Sequence, residues 1–222
     1  MKDKIIIFGV GDFAKQIYYY LSESDNYSVE CFTVDKCYID RNELLGKKVV
    51  AFEEIEQEYP PESYKFITAI GYKSMRKRKE LYERIKYKKY EFVNYIHKSV
   101  VINKPFYIGT NNIILSDVVI EPNVKVGSNN IVYSGTVIGH DSHLDDHSFI
   151  SIGNKFSGFT HIEDLCFIGV GSIVSDNVKI SRETLVGAGS LVLKDTFSLG
   201  IYYGVPAKRQ KEIDNALGIR IE

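Results

Sequence analysis

Cysteine is scarce, charge of one sign is missing and long apolar runs are absent, and each lack narrows what the chain can be. Cys31, Cys37 and Cys166 are odd in number and form no CxxC pair, which argues against a disulfide framework and for reduced, structural thiols. With 28 Lys+Arg against 29 Asp+Glu the net charge is -1, so no global field draws in nucleic acid or an anionic membrane, and any polyanion site must be local. The first apolar stretch, Ile5-Ile6-Ile7-Phe8, is short for a secretory h-region, and no later run approaches the roughly 20 residues that span a bilayer. A cytoplasmic protein without membrane insertion is expected. Only 17 Gly and 5 Pro in 222 residues, with 44% apolar and 26% charged residues, exclude collagen-like, mucin-like and disordered chains.

What is present falls into two parts with different periods. Residues 1–98 alternate strands and helices: Ile5–Phe8 reads as a buried strand, Gly9-Val10-Gly11-Asp12-Phe13-Ala14 as G-x-G-x-x-A opening a helix, and Phe13, Ile17, Tyr20 and Leu21 as its inner face. Further strands are predicted near Val29–Val34, Phe66–Ile70 and Glu91–Tyr95, and a helix over Met75–Tyr87. Such alternation predicts a small Rossmann-like parallel sheet. The basic run Lys73–Lys89 reads as a solvated helix face.

From Ile102 onward every sixth residue is apolar: Ile102, Ile108, Ile114, Ile120, Val126, Val132, Ile138, Leu144, Ile150, Phe156, Ile162, Ile168, Val174, Ile180, Val186 and Val192. With about half of all residues apolar, sixteen in a row arise by chance roughly once in 65,000 trials of one register. A period of six predicts a triangular solenoid over 99–206, each unit one short strand and one corner, with residues 18 apart stacked on adjacent coils. Gly109, Gly127, Gly139, Gly169 and Gly187 follow the inward residue and suit tight corners. Residues 207–222 read as a helical cap or tail, and Cys166 as packing.

Four histidines fall in this half. His143 and His161 stack by the 18-residue rule, whereas His140 stacks on Gly158 and His147 on Leu165; His143, His147 and His161 read as surface residues. His140, His143 and His147 occupy different places in the hexad, so they do not converge on a metal. His140 has better company: Asp141 follows it, and an imidazole can take a proton from an attacking amine or hydroxyl while the Gly158 N–H meets an oxyanion. That pairing points to acyl transfer. Neighbouring strand residues usually point apart, so another carboxylate could stand in for Asp141.

The order GVGDFA, VD near residue 35, AIG at Ala69–Gly71, IHKS at Ile96–Ser99, GHDS at 139–142 and YYGVPAKR at 202–209 resembles the bacterial sugar acyltransferases of the sialic acid O-acetyltransferase and bacillosamine N-acetyltransferase type, in the hexapeptide acyltransferase superfamily. The resemblance implies a left-handed β-helix, a homotrimer, and acetyl-CoA as co-substrate without a metal. It implies His140 as base, Asp141 as its acidic partner and Gly158 as oxyanion donor. Gly169, Val170, Gly187, Ala188, Lys194, Pro206 and Lys208 match positions that bind acetyl-CoA between subunits. Gly9, Gly11, Asp12, Asp35, Lys36 and Gly71 fall where relatives hold the nucleotide of a sugar. Bacillosamine-type relatives have a second histidine where this chain has Phe149 and an asparagine where it has Tyr133, so contacts there differ.

The resulting expectation is acetylation of the amine of a nucleotide-linked amino sugar for surface polysaccharide synthesis. O-acetylation of a sugar such as sialic acid is the alternative. An NAD-dependent oxidoreductase, suggested by G-x-G-x-x-A with Asp35, and a non-catalytic or carbonic-anhydrase-like solenoid are rivals from other classes.

Overall fold

A computed structural model describes residues 2–221. It divides into two compact units, Met1–Gly71 with Glu80–Val93, and Tyr72–Lys79 with Asn94–Glu222.

The first unit is built on β1 (Asp3–Phe8), α1 (Asp12–Ser22), β2 (Tyr27–Val34), β3 (Glu43–Leu44), β4 (Lys47–Ala51), the single-turn α2 (Ile55–Glu58), β5 (Lys65–Thr68), most of α3 (Met75–Tyr87) and β6 (Glu91–Phe92). The sheet order is β3-β4-β2-β1-β5-β6, parallel except for the β3–β4 hairpin. The hairpin and α2 escape sequence reading because their strands are short and mixed in polarity. Ile5, Ile6 and Ile7 have no exposed surface, as expected of a strand covered on both faces. The buried face of α1 is Ala14, Ile17 and Leu21, with Phe13 and Tyr20 half-buried at its margins.

The second unit is a parallel β-helix of three faces, left-handed as expected. Its strands run from β7 (Tyr95–Ile96) to β23 (Leu191–Val192). Residues 18 apart pair throughout: Ile114 with Val132 and Ile96 on the first face, Ile120 with Ile138 on the second, Val126 with Leu144 on the third. The repeat therefore begins at Ile96, one hexad before Ile102, and Tyr95 belongs to the solenoid rather than closing the first sheet. From Ile114 to Val192 the counted residues form one buried core, with Ile102 and Ile108 packed at its end. Most of the expected solenoid is this stack; the expected helical tail is not found. Ala207–Glu212 is a strand, β25, antiparallel to β24 (Gly200–Gly204), which extends the first face. No helix among the described residues is long and apolar enough to cross a membrane.

Each bend is closed by one residue of positive φ, and these too recur every six residues, from Asn111 (57°) to Gly189 (65°). Asn and Asp tolerate this geometry better than other side chains. The glycines that follow the inward residues are needed for a different reason. A β-carbon on Gly139 would lie 2.6 Å from Ser157 C, and one on Gly169 2.5 Å from Ala188 N, so the next coil's backbone excludes a side chain there. They give clearance between coils rather than freedom of φ.

Candidate active site

His140 lies on the bend between the second and third faces, just after Val137–Ile138. Its Nδ1 is 3.0 Å from Asp141 Oδ2, although the two are neighbours in sequence. Asp141 is outside any strand and has φ 57°, which folds its side chain back toward the ring. Of the two carboxylate sources left open by the sequence, the bend brings Asp141 itself to the ring. A carboxylate only accepts, so Nδ1 carries a proton and the neutral ring has its lone pair on Nε2. The hydrogen bond from His140 holds the Asp141 carboxyl below the ordinary aspartate range, and the Asn123 amide, donating to Oδ1 at 3.1 Å, adds to this. Glu121 Oε2 accepts from the His140 N–H at 2.9 Å and fixes the main chain.

Gly158 lies directly against this ring: a β-carbon there would be 2.6 Å from His140 Nε2 and from Cε1. At three equivalent places in the repeat the N–H is met by a side chain 18 residues on, as Ser128 Oγ meets Thr110 N (3.1 Å) and Asp146 Oδ1 meets Ser128 N (2.6 Å). At two others a glutamate 19 residues back serves, Glu121 for His140 and Glu163 for Arg182 (2.8 Å). Nineteen residues before Gly158 stands Gly139, which has no side chain to offer. Among the described residues the Gly158 N–H has no acceptor. A side chain on Gly139 would reach within 2.8 Å of Gly158 N, so its absence also keeps this donor clear. A proton acceptor and an open N–H side by side can deprotonate a nucleophile and stabilise the oxyanion its attack creates.

The remaining histidines separate as follows. His143 and His161 stack at 5.7 Å, and His161 Nε2 meets Asp145 Oδ2 at 2.8 Å. His147 is buried, which corrects its reading as a surface residue; burial lowers its pKa to about 4, and its Nδ1 meets Asn129 Nδ2 at 2.9 Å. The zinc alternative has no converging set among the described residues. Cys166 is buried in the core with its thiol pushed up to about 12.

The positions matched to acetyl-CoA binding gather elsewhere on the β-helix. Gly169, Val170, Gly187 and Ala188 stack on the bend between the first and second faces, with Val170 exposed. Pro206 and Lys208 lie on the β24–β25 hairpin that extends the first face, and Lys194 follows the last strand of the second. Within one chain the second face separates this group from His140. Tyr133 and Phe149 do come together, lining a cleft of about 330 Å³ with Tyr72, Phe167 and Val170. Phe149 stacks on Phe167 at 5.5 Å, and Tyr133 leans on Phe149 at 5.4 Å.

In the first unit Gly9, Asp35 and Gly71 follow the carboxyl ends of the adjacent parallel strands β1, β2 and β5, the rim where such sheets bind ligands. Gly9 (φ 130°) has no room for a side chain: a β-carbon would lie 2.8 Å from Ala69 O. Gly11 is the N-cap of α1 and Asp12 its exposed first residue, paired with Lys15 at 2.9 Å. Asp35 and Lys36 already have partners. Arg84 grips Asp35 with both terminal nitrogens, one at 3.1 Å, and Lys36 Nζ meets Glu54 at 2.8 Å.

Sequence reading missed Glu121, Asn123 and Arg84, and two arginines of the basic run. Arg78 is buried rather than solvated, and Arg76 is bound to Glu183 Oε2 at 2.6 Å. Offsets of 18 and 19 residues from the His140-Asp141 pair would have found Asn123 and Glu121; the arginines left no such signal.

Residues 4–85 match the PglD N-terminal domain. No curated protein matches the chain. Among solved structures it is similar to perosamine N-acetyltransferase from Caulobacter crescentus, solved as a histidine-to-asparagine variant with CoA and GDP-perosamine, at 26% identity over 94% of this chain and 97% of that one, TM-score 0.84. It shares its fold with the acetyltransferase domain of PglB from Neisseria gonorrhoeae (21% identity, 94% and 100% covered, TM-score 0.85) and with WeeI from Acinetobacter baumannii (20%, 94% and 100%, TM-score 0.81). The chain therefore carries a PglD N-terminal domain followed by a left-handed β-helix, the fold it shares with these solved structures.

Proposed function

We propose that this protein transfers the acetyl group of acetyl-CoA to the amine of a nucleotide-linked amino sugar, with His140 as general base. The observation that carries the reading is the meeting of His140 Nε2, freed for proton uptake by the Nδ1 bond to Asp141, with the open N–H of Gly158. The acceptor amine attacks the thioester carbonyl carbon and gives its proton to Nε2. The carbonyl oxygen takes up negative charge against the Gly158 N–H. Collapse of the tetrahedral intermediate breaks the C–S bond, and the CoA thiolate recovers the proton from the imidazolium.

Nitrogen is favoured over oxygen as the acceptor atom because the 26% identical neighbour is an N-acetyltransferase solved with a nucleotide amino sugar. Gly9, Gly11 and Asp12 at the rim of the first sheet are the nucleotide contacts of this reading, and an anionic group there gains from the N-terminus of α1. Asp35 and Lys36 serve as contacts only by exchanging Arg84 and Glu54 for the ligand. The separation of His140 from Gly169, Val170, Gly187 and Ala188 within one chain supports a homotrimer, in which one subunit's acetyl-CoA bend faces the next subunit's base. The oxidoreductase reading loses ground because the chain after the first unit is a β-helix rather than a second α/β substrate domain.

The test is CoA thiol release from acetyl-CoA with UDP-, dTDP- and GDP-linked amino sugars beside free sialic acid, run with wild type and His140→Ala. Release with one nucleotide amino sugar, lost in the variant, is expected. Wild-type rates in the variant would overturn the assignment of the base, and release with sialic acid alone would move the reaction to oxygen.

A further inference from the structure

The positive-φ column on the His140 bend reads Asn123, Asp141, Phe159, Asn177. Three members are residues that accept this backbone, and the fourth is an aromatic side chain that disfavours it (φ 56°). Leu165 is another bulky residue with positive φ in the solenoid, but it is 1% exposed and has core packing to offset the strain. Phe159 is 53% exposed, so burial within the chain does not explain it. A strained backbone held without a packing return points to a function.

The position says which. The Phe159 N–H donates to His140 O at 2.9 Å, and its ring stands at 89° to the imidazole with 5.1 Å between centroids. An amine within hydrogen-bond reach of Nε2 carries its sugar ring a further bond or two away, into the space that an exposed aromatic beside the imidazole borders. The C–H-rich face of a pyranose is apolar and fits against such a ring.

We propose that Phe159 is the platform for the acceptor pyranose and a determinant of acceptor specificity, an inference that rests on the acyltransferase reading above. The informative variant is Phe159→Asn, because asparagine suits the backbone while removing the ring; Phe159→Tyr keeps the ring. Steady-state kinetics use the nucleotide amino sugar that wild type acetylates, with thermal melting and sizing alongside. For Phe159→Asn the acceptor KM is expected to rise about tenfold. Its acetyl-CoA KM, its assembly and its melting temperature stay at or above wild-type values, and Phe159→Tyr stays near wild type. An unchanged acceptor KM overturns the inference and leaves the acyltransferase standing. A lower melting temperature or altered assembly makes Phe159 a structural residue and also overturns it. A wild-type protein that acetylates no member of the panel removes both the reading and the inference built on it.

Discussion

Two bends of the same β-helix share a backbone and differ in use. On the bend between the third and first faces the positive-φ column is Asn111, Asn129, His147, Leu165 and Glu183, and all five are buried. Side-chain bonds cement it: Asn111 Nδ2 donates to Asn129 Oδ1 at 2.7 Å, and Asn129 meets His147. The buried Arg78 guanidinium donates to the carbonyls of Asn129 (2.7 Å), Ser148 (3.2 Å) and His147 (3.3 Å), with no carboxylate partner among the described residues, and burial lowers its pKa to about 9. On the bend between the second and third faces, Asn123, Asp141 and Phe159 are open and surround His140. The hexapeptide repeat thus supplies one geometry, and covering one bend while leaving another bare gives it a cemented edge in one place and an accessible imidazole in another.

The sharpest way to break this division is His140→Ala, expected to fold normally and lose turnover by about 10²- to 10⁴-fold in the CoA-release assay. Gly158→Ala places a β-carbon 2.6 Å from Nε2, so turnover should fall by about 10²-fold with acetyl-CoA binding retained in calorimetry. On the covered bend the readout changes from rate to stability. Arg78→Met removes one donor from each of three carbonyls and is expected to cost roughly 2–4 kcal/mol in chemical denaturation, with kcat unchanged.

His147 gives that bend a pH signature. Its folded pKa, about 4, lies below the ordinary value of 6.5, so the unfolded chain binds the proton more readily between the two. Its contribution to stability is present above pH 6.5 and fades as pH falls toward 4. Urea melts across that window should show the loss in wild type and a shallower dependence in His147→Gln. The smallest effect is expected at Asn123, whose exposed amide steadies Asp141: Asn123→Gly, which suits the positive φ of that corner, should lower kcat roughly three- to tenfold with both KM values unchanged.

The period of six was legible from Ile102 to Val192 because each inward position tolerates only apolar side chains, and the 18-residue stacking follows by arithmetic. The pairing of His140 with Gly158 was legible for the same reason. The tail was misread because Ala207–Glu212 has the composition of an exposed helix, and only pairing with Gly200–Gly204 makes it a strand. His147 was misread because nothing in its hexad says that one bend is covered.

The sequence by itself determined the coil, its register and which residues stack, since a repeat without insertions leaves one consistent way to bury its apolar column. Only the tertiary structure decided which bend is buried, that Asp141 turns back to His140, and that Gly158 keeps a spare N–H. These depend on the local φ at each corner and on neighbours a whole coil away or beyond the repeat, which hydrophobic periodicity does not encode.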